Sequence, residues 1–332
     1  MAVSDRRIVI LGKTGVGKSS LANTIFGEKL FNVDHSLNSG TRECRAETRS
    51  VNGRRITVID TPGFFDTNRP EEELKREIVR CITECAPGPH AFLIVLGVER
   101  YTEHEQAVIN KIHQYFSEEA LKYATIVFTH GDQLDEEQTI EDFVCKNQFV
   151  TDLVKKCGGR CHVIDNKYWQ NSQQDEYRNN HFQVKELLKT IDNVTGENKG
   201  GYYTNEMLQA VEELIQQKKE HIRKSPQKLS EKEIREQANG RVSEKILIKL
   251  AGAATGALLG ALFGFNITAA VGAAVTEAAV VKAARTGGFA GYHAAEAADT
   301  AMEAAKMAAV SVLKRAHDGL DRLSQPKLKQ SK

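Results

Sequence analysis

Lys18 and Ser19 are the first residues whose types and spacing point to chemistry. They close the run Gly12-Lys13-Thr14-Gly15-Val16-Gly17-Lys18-Ser19, with Ser20 behind it, which matches G-x-x-x-x-G-K-[ST]. Glycines at this spacing let the backbone curl so that successive N–H groups hold phosphate oxygens, at the positive end of the helix beginning near Lys18. The Lys18 ammonium then reaches the β- and γ-phosphates, and the Ser19 hydroxyl ligates Mg²⁺. The plainer reading is a glycine-rich turn between a strand and a helix. The full match in strand–loop–helix context favours a bound nucleoside triphosphate.

Further residues suit the same ligand. Asp60-Thr61-Pro62-Gly63 is a D-x-x-G at the end of an apolar run. Asp60 there holds the Mg²⁺ shell through water, and the Gly63 N–H meets the γ-phosphate, drawing the following segment with it. Alone, this motif is equally a strand-to-turn exit. Thr41 lies in a polar stretch, 27–50, read as a mobile loop whose threonine hydroxyl can close on the metal. Asp132 follows another apolar run, where its carboxylate can accept both N1–H and N2–H₂ of guanine; adenine offers no such pair, so the site selects GTP and GDP. Asn166 is placed against the base, and His130 or Trp169 against its face.

These residues need strands to carry them. Ile8–Leu11, Arg55–Ile59, Ala91–Leu96, Ala124–Phe128 and Cys161–Ile164 are short apolar or β-branched runs. Helical spacing separates them in Ser20–Phe26, Glu71–Cys85 and Glu105–Phe116. The Ala91–Leu96 run is continuous, as in a parallel strand covered on both faces. The fold class is α/β, a phosphate-loop domain with a mostly parallel sheet and helices on both faces, followed by a helical C-terminal region.

Composition narrows the field. The chain has 332 residues, 41% hydrophobic and 27% charged, with a formal net charge of +1. That balance gives no support to nucleic acid as a partner, which would want a basic surplus. Two C-x-x-x-C pairs, Cys81/Cys85 and Cys157/Cys161, fall within spacings zinc can use, but only His162 accompanies them, so reduced and mostly buried thiols are expected. The N-terminus carries no signal-peptide pattern and no glycine after Met1, which places the chain in the cytoplasm.

The ordered set GKTGVGKS, the Thr41 loop, DTPGFFDT, GPHAFLIVLGVERYT, TIVFTHGDQL and CGGRCHVIDNK resembles the GIMAP family, the GTPases of immunity-associated proteins within the septin–Toc-like group of G domains. The resemblance covers residues 6 to about 203, and Gly88–Thr102 is its most specific element. It implies a guanine-nucleotide switch that associates through its G domains as a homodimer or oligomer, often on intracellular membranes. It maps Lys18 and Ser19 to phosphate and Mg²⁺, Thr41 to the first switch, Asp60 and Gly63 to the second, and Asp132 to the base. His130-Gly131 departs from the general pattern, in which many G proteins carry Lys before the Asp. Phe64 follows Gly63 where Ras-like proteins place a glutamine that orients the attacking water, so slow hydrolysis by the monomer is expected. Arg100 is the candidate cation presented across a dimer. A solvated loop cation or an internal ion pair are its other readings.

The domain reading is 1–203 for the G domain, 204–245 for an amphipathic and charged helical extension, and 246–332 for an Ala/Gly-rich helical region. Residues 250–276 contain no charged side chain, and Gly252, Gly256, Gly260 and Gly264 recur every four residues on one helix face. Three readings stay open for this segment: a spanning anchor, an interfacial helix, or a packed helical pair. Two functions are carried forward. One is a GTPase switch with slow, association-dependent turnover at the cytosolic face of an intracellular membrane. The other is a nucleotide-gated oligomerising scaffold. A phosphate-loop ATPase survives only if Asp132 does not read the base.

Overall fold

The apolar runs assemble into one sheet. The computed structural model describes residues 5–33, 41, 43–64, 70–99, 103–169, 176–225, 229–249 and 255–264. Among these, six strands, β1 (Asp5–Leu11), β2 (Arg45–Val51), β3 (Arg54–Asp60), β4 (Ala91–Gly97), β5 (Ala124–Thr129) and β6 (Cys161–Val163), lie in the order β2-β3-β1-β4-β5-β6. All neighbours are parallel except β2, which runs antiparallel to β3. The strand order reverses direction at β1, so a crevice forms beyond its C-terminal end, where the phosphate loop begins.

The helices are α1 (Lys18–Phe26), α2 (Glu71–Cys85), α3 (Glu103–Tyr115), α4 (Glu118–Leu121), α5 (Ile140–Cys145), α6 (Gln148–Lys156), α7 (Asn180–Glu197), α8 (Glu206–Arg223), α9 (Glu231–Lys249) and α10 (Thr255–Phe263). Ile8, Ile10, Leu93 and Val95 pack beneath Leu21 and Ile25 of α1 and Leu187, Leu188 and Ile191 of α7. An ion-pair cluster fixes α7 from the side: Asp192 accepts from Arg6 at 3.1 Å and from Arg54 at 2.7 Å. The six cysteines carry free thiols, four of them buried.

Two regions depart from the sequence reading. The stretch 27–50, expected as loop, contains β2 from Arg45 onward. Its residues RAETRSV lack apolar alternation because this is an edge strand, half-exposed along most of its length. Asn52 and Gly53 turn it into β3 with positive φ at both positions (49° and 74°), as a tight hairpin requires. The second departure is at the C-terminus. Gly264 was placed on one helix face with Gly256 and Gly260, yet α10 ends at Phe263 and Gly264 adopts φ 69°.

The chain forms two compact units, 1–243 with 258–265, and 244–257 with 266–332. Within the first, α8 packs on α2, and Ile234, Ala238 and Val242 of α9 are buried. The apolar turn Leu258–Phe263 is also part of this unit. Phe263 stacks on Phe116 at 4.1 Å between centroids and meets Phe92 edge-on at 5.7 Å. Asn205 Nδ2 donates to the Ala261 carbonyl at 2.9 Å, and the Ser117 N–H donates to the Phe263 carbonyl at 3.0 Å. Among the described residues no helix is long and apolar enough to cross a membrane. Residues 250–254 and 265–276 lie outside the described residues.

Buried His90 and half-buried His162 give the fold an acid limit. Burial, aided by the charges of Arg7 and Arg6, lowers His90 from its ordinary 6.5 to about 3, and its Nδ1 accepts the Arg7 N–H at 2.9 Å. Burial lowers His162 to about 4. Both are neutral in the fold and protonate in the unfolded chain below pH 6.5. Their contribution is therefore complete above pH 6.5 and is lost as the pH falls toward their folded values, at roughly 1.4 kcal/mol per pH unit for each. Urea unfolding at pH 7.5 and 5 should show this loss, reduced by one histidine's share in His90→Asn. An unchanged slope in the variant would contradict the assignment.

Candidate nucleotide site

The phosphate loop takes its shape from contacts beneath it. Gly12 lies so close to β4 that a Cβ there would sit 2.6 Å from the Val95 carbonyl oxygen. Gly17 caps α1 with φ 90°, a left-handed conformation that glycine adopts at little cost. Thr129 at the end of β5 donates to the Val16 carbonyl at 2.7 Å, and Thr61 at the end of β3 donates to the Ile10 carbonyl at 2.6 Å. The ends of β4 and β5 thus brace the loop, and the Thr61 bond ties β1, which leads into it, to the end of β3.

Lys18 is buried, and its Nζ donates to the carbonyls of Gly12 at 3.0 Å and Lys13 at 2.7 Å. Its charge therefore sits within the loop, and with Thr14, Gly15, Gly17, Ser19 and Ser20 it lines a cleft of about 1690 Å³. Ser19 Oγ donates to Asp60 Oδ2 at 2.5 Å. Since that uses its only proton, Thr41 Oγ1, 2.7 Å away, donates to Ser19. Asp60 is buried, and its Oδ1 has no hydrogen-bond partner among the described residues. Burial raises its carboxyl above the ordinary range, against the Ser19 hydroxyl, the Lys18 charge and the Thr61 N–H. Two hydroxyls and a carboxylate with an unused oxygen form an all-oxygen set, the donor chemistry Mg²⁺ takes. Gly63 also lines the cleft, whereas Phe64 beside it is buried.

Lys13 behaves differently from its loop neighbours. Its ammonium donates to Glu99 at 2.7 Å and to Glu105, whose side chain is almost fully buried. What Lys13 offers a ligand is therefore its backbone, and its side chain ties the loop to the segment after β4. Arg100, next to Glu99, lies outside the described residues.

His130, Asp132 and Asn166 line the same cleft. Asn166 Oδ1 accepts from Thr24 of α1 at 2.9 Å, which secures it against the helix carrying Ser19. Trp169, expected against the base, is buried instead beneath Gly131, where a Cβ would lie 2.5 Å from the indole. Tyr168, 60% exposed, lines the cleft in its place, with Lys167 4.7 Å from its ring centroid. An exposed aromatic one residue away was the available signal. Asp165 was also missed; its buried carboxyl accepts the Lys167 N–H at 2.8 Å and the Tyr168 N–H.

A sequence model of the AIG1 family matches residues 6–222. Immune-associated nucleotide-binding protein 10 of Arabidopsis thaliana is 35% identical over 219 residues, spanning 64% of this chain and 46% of that protein. GTPase IMAP family member 8 of Homo sapiens is 32% identical over 203 residues, spanning 61% of this chain and 30% of that protein. The match takes in less than half the length of either relative. Among solved structures, the crystal structure of Toc33 from Arabidopsis thaliana in complex with GDP and Mg²⁺ is 22% identical, covers 59% of this chain and 86% of that one, and has a TM-score of 0.46.

Proposed function

The chain belongs to the AIG1 family, and on that premise we propose that it is a guanine-nucleotide switch that binds GTP and GDP with Mg²⁺ and hydrolyses GTP slowly unless its G domains associate. One observation carries the reading: Ser19, Thr41 and Asp60 converge at the phosphate loop, and Asp132 lines the same cleft as that loop. Backbone N–H groups of the loop and the Lys18 ammonium hold the phosphates. Ser19, Thr41 and, through water, Asp60 would hold the Mg²⁺, which when bound offsets phosphate charge. Gly63 carries the γ-phosphate contact into the second switch, and Asp132 selects guanine.

Slow turnover by the single chain follows from Phe64. It is buried and has no group able to orient a water at the position after Gly63. Arg100 is the candidate to complete the site across a dimer, at a loop whose Glu99 is anchored on Lys13. The buried Phe64 also favours a second reading, a nucleotide-gated scaffold in which turnover is incidental. Action at the cytosolic face of an intracellular membrane belongs to the proposal through residues 250–276. Their turn Leu258–Phe263 must leave its seat on the G domain to reach lipid.

The test is GTP turnover per molecule against protein concentration, for wild type and Arg100→Ala, with nucleotide affinity and folding measured alongside. The expected outcome is a rate per molecule that climbs with concentration and loses that climb in the variant at unchanged affinity. A flat, equally low rate in both would remove Arg100 from the chemistry and favour the scaffold. Displacement of bound GDP by ADP as readily as by GDP would overturn the guanine reading.

A further inference from the structure

A single ammonium holds both ends of the segment that follows β4. Lys13 Nζ donates to Glu99 Oε1 at 2.7 Å, just past the end of the strand, and to Glu105 in the first turn of α3. Residues 100–102 between them lie outside the described residues. The backbone is shaped for this arrangement: Glu99 folds back across Gly97, where a Cβ would lie 3.1 Å from its Oε1. Glu105 is 6% exposed, and a carboxylate taken so far from water needs a cation beside it. Burial alone would lower the Lys13 ammonium, but its bonds to Glu105 and Glu99 outweigh that and raise it, so it stays charged at neutral pH.

Lys13 is also part of the phosphate loop. Its carbonyl accepts from Lys18 Nζ at 2.7 Å, beside the Gly12 carbonyl at 3.0 Å. Its main chain is thus bound to the group that meets phosphate, while its side chain reaches the segment after β4. The two carboxylates differ in setting. Glu105 is followed at helical spacing by Val108, Ile109 and Ile112, all buried, so its end is fixed to the core. Glu99 has 43% of its side chain exposed and does not line the nucleotide cleft, so it can be altered without opening either. Two fixed ends a few residues apart restrict where the residues between them can go, since each residue spans at most about 3.6 Å.

We propose that Lys13, Glu99 and Glu105 form a clamp that sets the position of Arg100 from the phosphate loop, which makes Glu99 a positioning residue for hydrolysis completed across a dimer. The inference rests on the reading of Arg100 as the cation presented to the partner G domain. Glu99 acts through Arg100 and touches no phosphate itself.

The experiment is a double-mutant cycle on the full chain, with GTP turnover per molecule followed against protein concentration. Its members are wild type, Glu99→Lys, Arg100→Ala and the two together. Glu99→Gln, which can still accept from Lys13, is the milder companion. GDP affinity is measured alongside. Glu99→Lys should keep the low rate of the dilute protein and its GDP affinity. Its plateau at high concentration should fall about ten- to a hundredfold, the cost of misplacing a reacting group by about 1 Å. Glu99→Gln should lose less. In the Arg100→Ala background Glu99→Lys should have no further effect, because a residue acting only through Arg100 has nothing left to place. An unchanged plateau in Glu99→Lys, or an equal further loss in the Arg100→Ala background, would overturn the clamp and leave the reading of Arg100 intact. So would a climb shifted to higher concentration with its plateau kept, which would make Glu99 an association contact. A plateau that Arg100→Ala does not lower, or no climb in wild type, would overturn both. If Glu99→Lys disturbs the fold, seen as lost GDP affinity, the cycle is read with Glu99→Gln.

Discussion

Asp132→Asn is expected to lower GDP affinity by about 100-fold and to make xanthosine diphosphate the preferred ligand. A carboxylate accepts from both N1–H and N2–H₂ of guanine, and hydrogen bonds to a charged group contribute about 1.5–3 kcal/mol each. The asparagine keeps one acceptor and replaces the other with an NH₂, which meets the guanine amino group donor to donor. Xanthine carries a carbonyl at that position and restores the pair. Asp132 is exposed, so water takes up part of the loss and the effect falls below the roughly 10⁴–10⁵-fold that a buried polar site can reach. Displacement of a fluorescent guanine nucleotide by GDP and xanthosine diphosphate reads both affinities. If GDP binds the variant as it binds wild type, the base is read elsewhere and the cleft's polarity must be reassigned.

The legible parts of this chain are those where backbone chemistry leaves few residue choices. A loop that wraps phosphate needs glycine where the chain turns left-handed or presses on a neighbouring strand, as Gly12 and Gly17 do. The buried parallel strands β4 and β5 have to be apolar on both faces, and they read so. Edge strand β2 is different: one side of its ladder is unpaired and its side chains are partly solvated, so RAETRSV carries no hydrophobic period. Its signal was the Asn52-Gly53 turn, which specifies a hairpin more firmly than the strand specifies itself. Helix α7 was missed although Val184, Leu187, Leu188, Ile191 and Val194 recur at helical spacing.

Side-chain destinations were harder to read than elements. The position of Lys13 inside the motif suggested a phosphate ligand, yet Glu99 and Glu105, more than eighty residues away in sequence, claim its ammonium. Trp169 has the right chemistry to stack on a base, but the absence of a Cβ on Gly131 opens a slot that buries it. Both outcomes depend on tertiary neighbours, which residue type and local spacing do not encode. The apolar turn in the C-terminal region belongs to the same class, since hydrophobicity specifies removal from water but not the surface that achieves it.

Phe263→Ala is expected to cost about 3–5 kcal/mol of the docking that holds this turn, the range for deleting a buried aromatic side chain. Phe263 is fully buried against Phe116 and Phe92. Gly264 immediately behind it has φ 69°, and a Cβ there would lie 2.5 Å from the Tyr203 hydroxyl. That fit makes the seat specific: Gly264→Val should release the turn by collision, while Phe263→Ala releases it by loss of contact. If the turn unfolds with the rest of the domain, the full loss appears in the stability to urea. If it leaves alone, global stability falls by less, and native-state proteolysis near residues 255–264 accelerates before the domain opens. In either variant the released Leu258, Leu259 and Leu262 need another apolar environment, so co-sedimentation with phospholipid vesicles should rise above wild type. A rise in both variants would mean that the G domain and lipid compete for the same residues. Equal sedimentation by wild type and variants, with the turn shown to be released, would assign Leu258–Phe263 to the domain core and leave any membrane contact to other segments.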